Sequence, residues 1–233
     1  MKLIAILSAS LLVVMSFFSP KKEAKITRSV AKVNTAKMMN VVYNSLEPNR
    51  FKMPKLESFS NAFKGYQLLK EKGVLKKDII TIIDFSLSSR EKRLWIIDMK
   101  TNEILLNTFV AHGKNSGTDY AVNFSNKNES YKSSLGFFST GEVYQGKHGI
   151  SLKLDGLEKG VNDNARKRAV VLHGADYVSK KFIKAHHRLG RSQGCPAVPV
   201  ELSKKIINTI KGKSCLFIYH PSRGIVNKAK LIS

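Results

Sequence analysis

The chain is poor in acids, in cysteine and in glycine-rich loops, and each shortage excludes something. Asp and Glu number 17 against 40 Lys and Arg, so 233 residues carry a net charge of +23. Such an excess draws a protein toward anions, whether nucleic acid, anionic lipid or an acidic cell envelope, and says nothing about fold. Two cysteines, Cys195 and Cys215, rule out a disulfide-dense scaffold and a cysteine-rich zinc module. There is no glycine-rich phosphate loop and no G-x-G-x-x-G after a strand, which argues against a nucleotide-dependent enzyme. With 42% hydrophobic and 24% charged residues, a packed core is expected and wholesale disorder is not. The length suits one domain with a small helical extension.

Residues Leu3–Phe18 are apolar apart from Ser8, Ser10 and Ser16, and Lys2 precedes them. The pattern reads as an export signal or a short membrane anchor over residues 1–19, and the protein is expected outside the cytoplasm, in the periplasm or cell envelope. No cysteine follows the run, so a lipoprotein is not expected. Lys21, Lys22, Lys25 and Arg28 lie just beyond it, where basic residues resist translocation.

Residues 20–57 read as a basic linker with a helix near 36–46, and 58–233 as the main domain. That domain opens with an amphipathic helix over 58–72: Phe59, Ala62, Phe63, Tyr66 and Leu69 recur at helical spacing, with Ser58 as candidate N-cap and Gly73 as stop. From residue 79 the pattern turns to strands: 79–85, 94–99, 104–111, 136–144, 150–154, 169–173 and 215–219. Lys100-Thr101-Asn102 reads as a hairpin turn. Two helices interrupt late, near 179–187 and 201–211, the second with Leu202, Ile206, Ile207 and Ile210 on one face and Gly212 after it. The expectation is a mainly β fold, a sandwich or barrel-like pair of sheets with a few peripheral helices.

Cys195 lies in Gly190-Arg191-Ser192-Gln193-Gly194-Cys195-Pro196-Ala197, a turn between two basic helical stretches. Nine basic residues and one acid occupy 178–213, a field expected to ease ionisation of the thiol, and the thiolate is the nucleophilic form. A buried, inert cysteine is the alternative. Cys215 lies in an apolar strand and reads as core. A Cys195–Cys215 disulfide would compete with any nucleophilic role. His173 ends a strand and is a candidate base. His112-Gly113 and His148-Gly149 repeat its strand-end setting, which raises a three-histidine zinc site as an alternative. His186 and His187 are adjacent on a helix and diverge. His220 has no assigned role.

Taken in order, these residues resemble a known family. His112-Gly113-x-x-Ser116-Gly117, Ser134-Leu135-Gly136-Phe137-Phe138, Gly146-Lys147-His148-Gly149, Gly156-Leu157-Glu158, Asn162-Asp163-Asn164, His173-Gly174-Ala175-Asp176-Tyr177 and Ser192-x-Gly194-Cys195-Pro196-Ala197 look like the YkuD-like L,D-transpeptidases. The likeness is to the murein L,D-transpeptidase catalytic-domain branch and spans about residues 58–220. It implies a β-rich fold, Cys195 as acyl-accepting nucleophile, His173 as its base, and Gly194 and Cys195 as backbone oxyanion donors. It implies peptidoglycan stem peptides as substrates, with no cofactor and no metal. Ser192, Arg191, His148, Tyr177, His112 and Ser116 are the substrate-binding candidates. Gln193 stands where the wider family has histidine, and Ala197 where it has arginine or asparagine, which leaves open transfer against hydrolysis. Anionic envelope polymers and a membrane contact through residues 3–18 are further expected partners; nucleic acid is not. A non-enzymatic, envelope-binding protein is the rival class.

Overall fold

The computed structural model describes residues 37–222. Within them α1 covers residues 37–44 and α2 covers Leu56–Glu71. The strands are β1 (Ile79–Asp84), β2 (Leu94–Asp98), β3 (Glu103–Thr108), β4 (Gly136–Gly146), β5 (Gly149–Gly156), β6 (Val171–Gly174), β7 (Ala197–Val198) and β8 (Cys215–Tyr219). Helix α3 (Lys180–His186) lies between β6 and β7, and α4 (Val200–Ile210) between β7 and β8. All eight strands form a single sheet, in the order β3-β2-β1-β8-β4-β5-β6-β7. Just past β3, Ala111 pairs with Ala197 of the opposite edge strand, so the sheet curls into a nearly closed barrel. The mainly β expectation holds, with the expected pair of sheets realised as one curled sheet.

Alternation in the central strands explains two separate cores. Strand β1 is buried on both faces. Ile79 and Ile83 point into the barrel with Leu94, Ile96, Phe138, Leu172, Leu216 and Ile218, where Ile206, Ile207 and Ile210 of α4 close one end. Ile80 and Ile82 point out with Trp95, Ile97, Cys215 and Phe217, and there they meet Phe59, Ala62, Phe63, Tyr66 and Leu69 of α2. Period 2 in the strands and period 3.6 in the helix thus meet on one surface. Each large apolar side chain so buried contributes about 1.5–3 kcal/mol. The expected aromatic face of this helix therefore has its partner: the outer face of the sheet, not the cleft described below.

The helix begins at Leu56, two residues earlier than Ser58 suggested. Ser58 sits inside the first turn and its hydroxyl donates back to the Lys55 carbonyl at 3.0 Å, so it does not cap. At the other end Gly73 adopts φ +69°. Its N–H reaches Lys70 O and that of Val74 reaches Leu69 O, the paired bonds of a glycine-terminated helix. Strand β6 starts at Val171 and not at Ala169, because Ala169 has φ +51° and turns the chain. Strand β7 was not legible: two residues between prolines carry no strand signal. The Glu158 and Asn162 motif is structural. A Glu158 carboxylate oxygen accepts Phe137 N–H at 2.7 Å, and Asn162 donates to Leu135 O and Phe137 O, fixing where β4 begins.

Gly65 of α2 lies against the Phe137 ring, and a methyl there would overlap the ring carbons. Alanine would gain about 1 kcal/mol of helix propensity, but overpacking costs about 1–3 kcal/mol. Gly65→Ala is expected to lower unfolding free energy, and Gly65→Val to lower it more, read from urea denaturation midpoints.

Candidate active site

Cys195 and His173 line one cleft of about 690 Å³, together with Lys147 and His148 from the β4–β5 turn, Arg168, Tyr177, Arg191 and Ser192. A larger groove of about 980 Å³ between β3 and α4 contains neither cysteine nor histidine, so the candidate thiol and imidazole both lie in the smaller space.

The turn carrying Cys195 has little regular structure and is built from side-chain hydroxyls. Ser192 Oγ accepts Gly194 N–H at 3.0 Å and donates to Cys195 O at 2.6 Å. Ser133 Oγ accepts Gly113 N–H at 3.0 Å and donates to Gly194 O at 3.2 Å. Gly194 is at φ +123°, and a Cβ there would press on the Lys132 carbonyl. Glycine is required by both conformation and space. Sulfur follows from this arrangement: Cys195 Sγ accepts Val171 N–H at 3.5 Å and donates toward Ala169 O at 3.7 Å.

His173 is buried on β6 and paired with Ala197 of β7, two residues after Cys195. Its Nδ1 donates to Gly174 O at 2.9 Å. That bond places the proton on Nδ1 and leaves Nε2 as a free acceptor, the tautomer a general base needs. The His148 ring stacks on it, centroids 4.6 Å apart and 25° between planes. Burial first of all, with smaller contributions from His148 and Lys147 beside it, lowers the pKa of His173 against the opposing Gly174 hydrogen bond and favours its neutral form.

Two sequence expectations change here. The thiol was expected to ionise easily in a basic field. Burial instead pushes the Cys195 thiol above its ordinary value, opposed only by the Val171 N–H and the Arg168 charge. The helical lysines that dominate the count, such as Lys181, Lys184 and Lys204, are exposed to water, where their charge is screened. Both shifts favour the neutral forms, thiol and imidazole. Gly194 N–H, expected as an oxyanion donor, is already committed to Ser192 Oγ. Cys195 N–H makes no hydrogen bond among the described residues.

The substrate-binding candidates divide. Ser192, Arg191, His148 and Tyr177 line the cleft. Ser192 is nevertheless occupied within the turn, and Arg191 Nη1 donates to Lys114 O and Gly117 O at 3.2 and 3.1 Å. Tyr177 is half-buried, and burial raises its hydroxyl to about 12. His112 and Ser116 are buried away from the cleft. Ser116 Oγ accepts Ser133 N–H at 2.9 Å. His112 Nδ1 accepts from Arg93 Nη2 at 2.8 Å while Nε2–H faces Gly117 O at 3.3 Å. With both nitrogens used in the interior, His112 cannot join His148 and His173 around zinc. Among the described residues no group of three or more His, Cys, Asp or Glu is placed to hold a metal ion. Both cysteines are free thiols, and Cys215 is sealed under α2. Sequence reading missed Ser133, the Ala169 carbonyl and the Val171 N–H, because backbone groups and common serines leave no motif.

A family model described as the L,D-transpeptidase catalytic domain matches residues 52–219. Among solved structures, an L,D-transpeptidase from Mycobacterium smegmatis is similar at 9% identity, over 61% of this chain and 59% of that one, with a TM-score of 0.38. The helical cell shape determining protein Pgp2 from Campylobacter jejuni is similar at 14% identity, over 65% and 53%, with a TM-score of 0.42. An L,D-transpeptidase from Xylanimonas cellulosilytica is similar at 12% identity, over 66% and 68%, with a TM-score of 0.35. The chain thus spans less than two thirds of the first two proteins. No curated protein matches it.

Burial and the Arg93 charge lower the pKa of His112 to about 3, from an ordinary 6.5. The unfolded chain then binds the extra proton first, so this group's contribution to stability falls as pH drops from 6.5 toward 3. The slope is about 1.4 kcal/mol per pH unit. His112→Gln, which keeps an acceptor for Arg93, is expected to remove about one proton's worth of that slope in denaturation curves taken across this range.

Proposed function

Since the chain belongs to the L,D-transpeptidase catalytic-domain family, we propose that it is a cysteine acyltransferase acting on peptidoglycan tetrapeptide stems. The observation that carries the proposal is the tautomer of His173, whose bound Nδ1 leaves Nε2 as the acceptor on a residue that lines the same cleft as Cys195.

In the resting protein the thiol proton points to Ala169 O. Rotation about Cα–Cβ carries it to His173 Nε2. The sulfur attacks the carbonyl of the third stem residue as its proton passes to the imidazole. Negative charge then forms on the carbonyl oxygen. Cys195 N–H is one donor for it, and Val171 N–H, released as the sulfur turns away, is the other. Such donors are worth on the order of 3 kcal/mol each in a dry site. Collapse breaks the carbon–nitrogen bond, the D-alanine amine leaves with the proton from His173, and a thioester remains on Cys195. An amine of a second stem attacks the thioester to give a 3–3 cross-link; water in its place gives the carboxypeptidase outcome. A neutral pair suits this order of events, because the imidazole receives its proton only when the substrate is attacked. The cleft lining holds Lys114, Lys147, Arg168 and Arg191 against one acid, Glu129, a charge balance suited to stem carboxylates. A peptidoglycan substrate puts the protein in the cell envelope; the apolar stretch that would deliver it, and residues 20–36 of the linker after it, lie outside the described residues.

Incubation with purified muropeptides and mass spectrometry tests the proposal. Loss of terminal D-alanine with an acyl adduct on Cys195 is the expected result; turnover by Cys195→Ala at the wild-type rate sinks it. His173→Ala is expected to slow acylation by about 10²–10⁴-fold. The acid limb of the acylation rate is expected below pH 6.5, since His173 is shifted downward and must be unprotonated to act.

A further inference from the structure

Arg168 is held in place as few surface arginines are. Its Nη1 donates to Ser125 O at 2.7 Å and to Ser134 Oγ; its Nη2 donates to Lys132 O at 2.7 Å and to Ser130 Oγ at 3.3 Å. All four acceptors are neutral. No carboxylate pairs with Arg168 among the described residues, whereas nearby Arg166 is paired with Glu142 and Asp155. A guanidinium held by carbonyls and hydroxyls has its donors satisfied while its charge stays uncancelled.

That charge sits at the nucleophile turn. Arg168 lines the same cleft as Cys195, and its Nη2 is 3.4 Å from where a Cβ on Gly194 would lie. The next residue, Ala169, supplies the carbonyl that receives the thiol. Other charges face the cleft from elsewhere, and none is held at the Gly194–Cys195 turn in this way. Lys147 and His148 are exposed at the hairpin tip. Lys114 lies 4.0 Å over the Tyr131 ring, and Arg191 is turned to Lys114 O and Gly117 O. Glu129 is an exposed loop acid, and His173 is neutral.

We propose that Arg168 is the positioning residue of the nucleophile: a fixed, unpaired cation that favours negative charge on the Cys195 sulfur while stapling the 125–134 loop to the segment whose Ala169 carbonyl receives the thiol. The inference rests on Cys195 being the nucleophile, and deepens that reading by naming what offsets the cost of burying the thiolate. Two roles are joined in one side chain, and charge separates them. Glutamine removes charge and staple together; lysine keeps the charge and loses the fork.

The test is the rate of iodoacetamide alkylation of Cys195 against pH in the full chain, assigned by peptide mass, with thermal unfolding measured beside it. Alkylation reports sulfur ionisation and not turnover, so its outcome is separate from whether muropeptides are processed. Arg168→Gln is expected to move the midpoint up by about one pH unit and to slow alkylation at pH 7 about tenfold. Arg168→Lys is expected to melt earlier than wild type while recovering most of the alkylation rate. A wild-type midpoint in folded Arg168→Gln overturns the proposal, as does Arg168→Lys alkylating as slowly as Arg168→Gln. Should neither variant fold, Ser134→Ala removes one acceptor and loosens the guanidinium; a partial upward movement of the midpoint supports the proposal, and an unmoved midpoint overturns it.

Discussion

The turn that carries Cys195 depends on closure of the sheet. Residues 192–196 have no ladder of their own, and strand β7 beyond them is two residues long. They keep their place because Ala111 exchanges hydrogen bonds with Ala197, and because Ser192 N–H donates to His112 O while Lys114 N–H donates to Ser192 O. The segment after β3 thus does two things with one set of backbone bonds. It closes the barrel, and it lays a rail along which the cysteine turn is fastened. Buried backbone groups must be paired, so the turn cannot move without breaking the seam.

The same logic extends inward through Arg93. This arginine is fully buried; it donates to Leu87 O and Val110 O, stacks near Phe85, and gives a further hydrogen to His112. His112 must accept, so it must be neutral, and its carbonyl holds Ser192. A histidine with the sequence setting of a ligand is thus part of the frame. Its strand-end Gly neighbour marks a tight approach: a Cβ on Gly113 would collide with Tyr131 O.

This distinction shows what a sequence conveys. Strands β1, β2 and β8 were legible because β-branched and aromatic runs bounded by turn residues have few other folded uses. The helix face of Phe59, Phe63 and Tyr66 was legible for the same reason of period. Cys195 and His173 line one cleft; the Gly-Cys-Pro turn draws attention to Cys195, but His173 shares its strand-end setting with two other histidines and is singled out by the family resemblance. His112 and His148 look alike in sequence, yet one is buried and the other exposed. Their difference comes from a partner, Arg93, nineteen residues away along the chain. The ease of ionising Cys195 was misjudged because counting charges over a segment ignores where they point. Exposed lysines are screened by water, and a partly covered sulfur responds to its nearest neighbours.

Arg93 and Arg168 show how one device serves two ends. Each satisfies its donors with neutral acceptors, which costs less than burying a second charge. Around Arg93, on which the carboxylates of Asp119, Asp84 and Glu91 also act, the charge falls on a closed interior, where a neutral imidazole nitrogen is the acceptor it meets. Around Arg168 it falls on an open cleft beside a thiol. A carboxylate in place of Ser134 or Ser130 would tie Arg168 as firmly but would cancel its field at the sulfur. A neutral cradle retains both the rigidity and the field. The serines of the 125–134 loop are small, polar and uncharged, which is what such a cradle requires. On the proposed reading, the cleft thus keeps a fixed cation at its wall beside a thiol whose burial disfavours charge, so that negative charge is favoured there only as a substrate is attacked.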